Sequence, residues 1–301
     1  MKQFIDIVKN IKKNIEVKLN EQMSLHTSFK IGGSVNAMFL PKDSMSLVEL
    51  LSLSCEHEVK PFIMGNGTNL LVQDGKLDML VINTTDVKNI EIAGDTIKAD
   101  AGALLSKIAI LAYENDLTGF EFAHGIPGTL GGAVLMNAGA YGNEIKDVLS
   151  SSTAYSSTTG VYEINNSEHN FSYRQSSFST NGDVILSSTI KLKKGNKENI
   201  KQKMDKLSRL RKESQPLDIP SAGSTFKRPK KGYAAELIDE ARLKGYTVGG
   251  AMVSAKHAGF VINCGGATFD DVMAVINHVQ ETVLSLFNIE LELEVKVCRG
   301  R

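Results

Sequence analysis

The sequence has no tryptophan, six prolines and three cysteines in 301 residues. Cys55, Cys264 and Cys298 are far apart and odd in number, so they supply neither a disulfide framework nor a paired metal-ligand spacing. A small disulfide-stapled fold and a cysteine-held zinc site are thereby excluded, and a reducing compartment is expected. Charge of one sign is lacking too, since 34 Lys and Arg balance 34 Asp and Glu. No global field then draws the chain to nucleic acid or to an anionic membrane. Long apolar runs are missing, which excludes a bilayer-spanning helix. The N-terminal MKQFIDIVKNIKKNIEVK interleaves Lys and Asp with Phe4, Ile5, Ile7, Val8 and Ile11 at helical spacing, unlike the unbroken apolar core of a signal peptide. These absences predict a soluble cytoplasmic protein with no nucleic-acid partner, no membrane partner and no metal.

What is present is enough apolar material, 42% of residues, to fill two or three cores. After the N-terminal helix the pattern gives a helix through SMSLVELLSLSCEHEV and brief strands in PFIM, NLLV, MLVIN and IEIAGDTIKAD, separated by Gly, Asn and Asp turns. Strands and polar turns fill residues 150 to 192. A charged connector helix follows, with Ile200, Met204, Leu207 and Leu210 on one face; its lysines read as a solvated face. Thr268 and Asp271 mark a capping-box start for a long helix, and NIELELEVKV alternates Ile289, Leu291, Leu293, Val295 and Val297 with polar residues, as a half-buried strand does. The mixture is α+β, without the regular alternation of a doubly wound nucleotide fold.

Two glycine-rich loops stand out: GNGTN at 65–69 and HGIPGTLGG at 124–132. Glycine admits positive φ and lets bare backbone N–H groups approach an anion, and a helix start just beyond would add its positive dipole end. Two such loops suit a diphosphate. Neither matches the dinucleotide fingerprint or the P-loop.

The collinear strings HTSFKIGG, GNGTNLLV, GFEFAHGIPGTLGGAVLMNAGAYG, FSYRQSSF, AGSTFKRP, GYTVGGAMVSAKHAGFVIN and LELEV, spread over residues 20 to 298, resemble the UDP-N-acetylenolpyruvoylglucosamine reductase (MurB) family. The shorter, second type of that family is the nearer likeness, because no room is left for a tyrosine-bearing covering loop. The resemblance implies a two-subdomain FAD-binding module of the vanillyl-alcohol-oxidase-like (PCMH) type plus a C-terminal α+β substrate-binding domain. The corresponding divisions are 1–80, 81–200 and 201–301. It implies non-covalent FAD, NADPH as reductant, and UDP-N-acetylglucosamine enolpyruvate as the substrate reduced to UDP-N-acetylmuramate. Gly65, Asn66, Gly67, Thr68 and Asn69 would meet the flavin diphosphate; Gly125, Ile126, Pro127, Gly128, Thr129 and Gly132 would lie near the ring and ribityl chain. Lys227, Arg228 and Tyr233 would meet the UDP group.

The same resemblance assigns catalysis to Arg174, Ser224 and Glu294. Hydride addition to an enolpyruvyl ether leaves negative charge on the neighbouring carbon and its carboxylate. A guanidinium forks onto such a carboxylate, a protonated Glu294 would assist, and Ser224 would deliver the quenching proton. Nicotinamide and enolpyruvate need the same flavin face, so the reaction is expected to be ping-pong. Without the resemblance these residues read blandly: Arg174 as a surface strand residue, Glu294 as part of a solvated face with Glu290, Glu292 and Lys296, and Ser224 as a turn serine. A two-residue register change would move the glutamate role to Glu292. His124 and His257 read as structural rather than as covalent flavin links. An FAD oxidase on the same scaffold, or a non-catalytic flavin or UDP-sugar binding module, would keep the loops but need no such trio.

Overall fold

The computed structural model describes residues 1–11 and 14–300, with the side chain of Ile11 outside the described set. The chain forms two compact units, each assembled from separated segments: Met1–Leu19, Ala37–Asn66 and Leu80–Leu210 in the first, and Asn20–Asn36, Gly67–Met79 and Arg211–Arg301 in the second.

The first unit has two cores. One gathers Phe4, Val8, Phe39, Leu47, Leu50 and Ile82. Phe4 and Val8 come from the N-terminal helix Lys2–Ile11, whose spacing does place them on one buried face. Phe4 meets Phe39 edge-on at 5.6 Å between ring centroids. The helix Ser44–Glu56 begins at Asp43, whose carboxylate accepts from Ser46 N at 2.7 Å. The parallel pairing of Phe62–Met64 with Lys76–Asn83 ends at Met64, immediately before the first glycine loop.

The second core is built on a five-stranded antiparallel sheet in the order Gly160–Asn165, Leu149–Ser156, Val184–Lys191, Thr96–Asp100, Ile90–Ala93. The helices Leu105–Glu114 and Leu130–Leu135 contribute Ile108 and Val134 to it. The connector Lys197–Ser214 is helical as its spacing predicts: Ile200 and Met204 are buried and Leu207 packs beside them, while Leu210 is left exposed.

In the second unit a three-stranded sheet, Thr247–Val248, Ala251–Val253 and Val261–Asn263, is covered by the helix Phe269–Phe287. That helix buries Phe269, Val272, Val275, Ile276, Val279 and Val283, each contributing about 1.5–3 kcal/mol of apolar transfer. The capping box is present: Thr268 Oγ1 accepts from Asp271 N at 3.1 Å and Asp271 Oδ2 from Thr268 N at 3.0 Å. The alternating tail follows expectation in burial, with Leu291 and Val295 inside and Glu292 outside, but differs in hydrogen bonding. Regular strand is confined to Lys296–Cys298, parallel to Leu70–Val72, while Leu293 forms a single bridge to Phe226. Two different partners share the tail, so no one ladder extends along it.

Buried His169 links two strands of the large sheet. Its Nδ1 donates to Asn165 O at 2.8 Å, which fixes the neutral tautomer in which Nε2 accepts from Ser152 Oγ, also at 2.8 Å; Ser152 in turn meets Ser188 Oγ at 2.7 Å. The ring stacks on Phe171 at 4.9 Å. Burial pushes its pKa down against the opposing pull of the Asn165 and Asn166 backbone. Below about pH 6.5, the ordinary imidazole value, the unfolded chain therefore binds a proton that the folded chain refuses, and stability falls as pH falls. Thermal midpoints of the wild-type protein should drop between pH 7.5 and pH 5.5. His169→Gln should start lower and lose less over that interval, with His257, whose pKa burial also lowers, contributing to the slope that remains; an unchanged slope would contradict this account.

Candidate active site

The two glycine loops meet within the first unit. Asn66 Nδ2 donates to Pro127 O at 2.8 Å, bridging 61 positions of sequence. A Cβ on Gly65 would strike Thr129 Oγ1, and one on Gly131 would lie 2.8 Å from Ala101 Cβ, so both glycines are required by close approach. At Gly132 the corresponding position meets Thr129 Oγ1 at 3.6 Å, an ordinary contact. Thr129 itself is 2% exposed and sits in a bridge with Leu104. The result is a close-packed surface of bare backbone from two loops, the kind of backbone that can approach a nucleotide's phosphates.

One expectation about these loops is corrected. No helix follows GNGTN, which runs into the strand Leu70–Val72. The helix after the second loop has six residues, and Leu130 N and Gly131 N donate to Ala103 O and Ala101 O, both at 2.8 Å. Its first two amides are therefore used in fastening the helix to the neighbouring segment. Gly67, Thr68 and Asn69 belong to the second unit. There Gly67 O accepts from Ser28 N at 3.1 Å, Asn69 Nδ2 donates to Glu294 O at 3.0 Å, and Asn69 O accepts from Lys296 N at 2.9 Å.

The segment leading into the second loop is anchored by Glu121, which is 3% exposed. Its carboxylate accepts from Thr118 Oγ1, from Gly119 N at 3.0 Å and from Lys203 Nζ at 3.1 Å. Burial alone would raise its pKa, but these donors together hold it lowered. His124 and Tyr141 reach the same connector helix, at Ser208 Oγ and Leu207 O, each at 3.3 Å.

Arg174 is not a strand residue. Ser172 and Gln175 exchange backbone hydrogen bonds at 3.1 and 3.3 Å, and Arg174 stands at the tip of this turn with φ of 57°. Glu58, Asp116 and Asn288, at similar φ, close helices; Arg174 closes none. Left-handed backbone at an arginine costs on the order of 1–2 kcal/mol, and strain of this kind concentrates at functional sites. The half-buried guanidinium donates to Gly139 O at 3.4 Å and lies 5.1 Å from the Tyr173 ring.

Ser224 and Glu294 are brought onto adjacent backbone segments of the second unit. Glu294 N donates to Thr225 O at 2.9 Å and Lys227 N to Glu292 O at 2.8 Å, flanking the Phe226–Leu293 bridge. Buried Thr225 sets this register from the other side: its N donates to Gly259 O at 2.8 Å and its Oγ1 accepts from Val261 N at 3.0 Å. His257 Nδ1 accepts from Gly259 N at 3.2 Å, a structural part in the same turn. Glu292 is exposed and ion-paired with Lys227 Nζ at 3.0 Å, whereas Glu294 is half-buried. Arg228 stacks over Tyr233 at 4.1 Å.

Comparison with known proteins decides the family. Residues 215–298 match the UDP-N-acetylenolpyruvoylglucosamine reductase C-terminal domain, and residues 35–163 match an FAD binding domain. A UDP-N-acetylenolpyruvoylglucosamine reductase of Caldanaerobacter subterraneus subsp. tengcongensis is 47% identical over 97% of both chains. The chain belongs to the UDP-N-acetylenolpyruvoylglucosamine reductase family. It is an FAD-containing oxidoreductase of peptidoglycan precursor synthesis, α+β in fold. The family's Clostridium tetani reductase is 44% identical over 99% of this chain and 98% of its own. A crystal structure of the Thermus caldophilus reductase superposes with a TM-score of 0.80 at 32% identity, covering 94% of this chain and 98% of that one. The glucose dehydrogenase Phl p 4.0202 shares the fold alone, with a TM-score of 0.51 at 14% identity over 65% of this chain and 44% of its own.

Sequence reading missed Asn137, Glu121 and Tyr141 within a string it had singled out. A polar residue inside a glycine-rich run is a usable signal, since it must be satisfied where backbone packs closely. The Gly65–Thr129 approach carries its own test. Gly65→Ala should lower FAD affinity at least about tenfold through overpacking, with far-ultraviolet dichroism unchanged. A normal flavin-to-protein absorbance ratio and affinity in that variant would contradict the cradle.

Proposed function

We propose that this reductase takes NADPH and UDP-N-acetylglucosamine enolpyruvate to UDP-N-acetylmuramate, acting in the cytoplasm through two half-reactions. The observation that supports it most is the pairing of 224–227 with 292–295, which brings together the backbone segments that carry Ser224 and the half-buried Glu294, while the exposed Glu292 is ion-paired with Lys227. This favours Glu294 over Glu292 for the catalytic role. We assign residues 1–80 and 81–200 to FAD-binding subdomains and 201–301 to the substrate-binding domain. No helix among the described residues is long and apolar enough to cross a membrane.

FAD, when bound, supplies hydride exchange between nicotinamide and the enolpyruvyl carbon. Gly65, Asn66, Gly67, Thr68 and Asn69, with Gly125, Ile126, Pro127, Gly128, Thr129 and Gly132, would hold it. Arg174 would grip the enolpyruvyl carboxylate; being permanently cationic, it stabilises charge that grows there without a change in its own protonation. Ser224 would give its hydroxyl proton to the carbon next to the carboxylate, and Glu294 would hydrogen-bond the same developing charge. Lys227, Arg228 and Tyr233 would take the diphosphate and uracil.

Stopped-flow spectroscopy without oxygen separates the two halves. Ser224→Ala holoprotein should be bleached by NADPH within about twofold of the wild-type rate, yet be recoloured by the enolpyruvyl substrate at least about a hundredfold more slowly, the scale of a lost general acid. Recolouring at the wild-type rate would remove Ser224 from proton delivery. Equal slowing of both halves would point to damaged flavin geometry instead.

A further inference from the structure

Asn137 is fully buried and holds φ of 44°, a conformation asparagine tolerates better than other residues with a side chain. Its carboxamide makes three hydrogen bonds, using both donors and one acceptor position. Nδ2 donates to Ser172 O at 3.0 Å and to Glu144 Oε2 at 3.1 Å, and Oδ1 accepts from Lys146 N at 3.1 Å. Ser172 O is the base of the turn that presents Arg174. The chain beyond that turn is fastened to the same place, where Leu135 O accepts from Ser176 Oγ at 2.7 Å and Ser179 Oγ at 3.0 Å. The guanidinium itself donates to Gly139 O, two residues past Asn137.

The helix Leu130–Leu135 thus carries the glycine cradle at its start and the platform for Arg174 at its end. Two hydroxyls and one carboxamide make the second attachment. The hydroxyls hold the segment after the turn, and the carboxamide holds Ser172, before it, to the same place. We propose that Asn137 is a positioning residue: it sets the reach of the Arg174 guanidinium relative to the flavin cradle, and so tunes affinity for the substrate's carboxylate. The inference rests on the assignment of Arg174 to that carboxylate.

Asn137→Gly keeps the left-handed backbone and removes the carboxamide, and Asn137→Asp keeps the volume and the Lys146 contact while replacing the two-donor amide with a carboxyl that can donate to at most one of Ser172 O and Glu144. Substrate affinity is read from the perturbation of flavin absorbance when UDP-N-acetylglucosamine enolpyruvate is added to oxidised holoprotein, which needs no turnover. Either variant should bind FAD in normal ratio, be reduced by NADPH within about twofold of wild type, and lose about tenfold in substrate affinity, as expected for a buried hydrogen-bond anchor. In an Arg174→Ala background the same substitutions should change affinity by less than about twofold, because an effect routed through Arg174 has nothing left to act on. Equal losses in both backgrounds, or no loss beside an intact Arg174, would overturn the positioning role. An Arg174→Ala protein with wild-type affinity and turnover would instead remove the assignment of Arg174 itself, and the inference with it.

Discussion

The first unit's site depends on one close approach, that of Gly65 to Thr129. Bare backbone at Gly65 lets the loop that ends the Phe62–Met64 strand lie against the loop that opens the Leu130–Leu135 helix, and the Asn66 carboxamide then fastens the two through Pro127. Because Leu130 and Gly131 spend their amides on Ala103 and Ala101, that short helix is fixed at its start. Its end is fixed by the serines after Arg174, and Asn137 fixes the residue before it. A methyl group at Gly65 would therefore be felt along a single connected line from the glycine cradle to the guanidinium.

The second unit solves a comparable problem with a different hub. Thr225 is buried and uses its amide, carbonyl and hydroxyl at once, reaching the Gly259–Val261 segment on one side and Glu294 on the other. Thr225, with the Phe226–Leu293 bridge and the Lys227–Glu292 backbone bond beyond it, thus fixes the stagger between the serine-bearing and glutamate-bearing segments. The saturation matters energetically, because each buried polar group left without a partner costs about 1–3 kcal/mol. Regular ladder is scarce here, and a few isolated backbone hydrogen bonds, with the Thr225 hydroxyl, carry the register instead.

Periodic features were legible in the sequence. The buried faces of the N-terminal helix, the connector helix and the helix after Thr268 follow from spacing alone, as does the Thr268–Asp271 capping box. The glycine loops were legible as places of special backbone, but the reason for Gly65 was not, since it is imposed by a residue in a different loop. Arg174 gave no local sign of a turn, having neither glycine nor proline beside it; distant groups, Asn137 and Leu135, hold the segment. The tail after Phe287 alternates as a strand would, and its burial obeys the pattern, while its hydrogen bonds are divided between Phe226 and Leu70–Val72. Discontinuous units leave no mark in composition: residues 20–36 and 67–79 join the C-terminal segment without any linker to announce it. The identity of the chemistry came from long collinear strings rather than from any physical property of single residues.

The most direct test of the account is the product itself. Holoprotein incubated without oxygen, with NADPH and UDP-N-acetylglucosamine enolpyruvate, should consume one NADPH for each sugar nucleotide converted, and mass spectrometry should find the nucleotide heavier by two hydrogens as the lactyl ether. NADPH consumed only when oxygen is admitted, with the sugar nucleotide unchanged in mass, would contradict a reductase and leave an oxidase on the same scaffold.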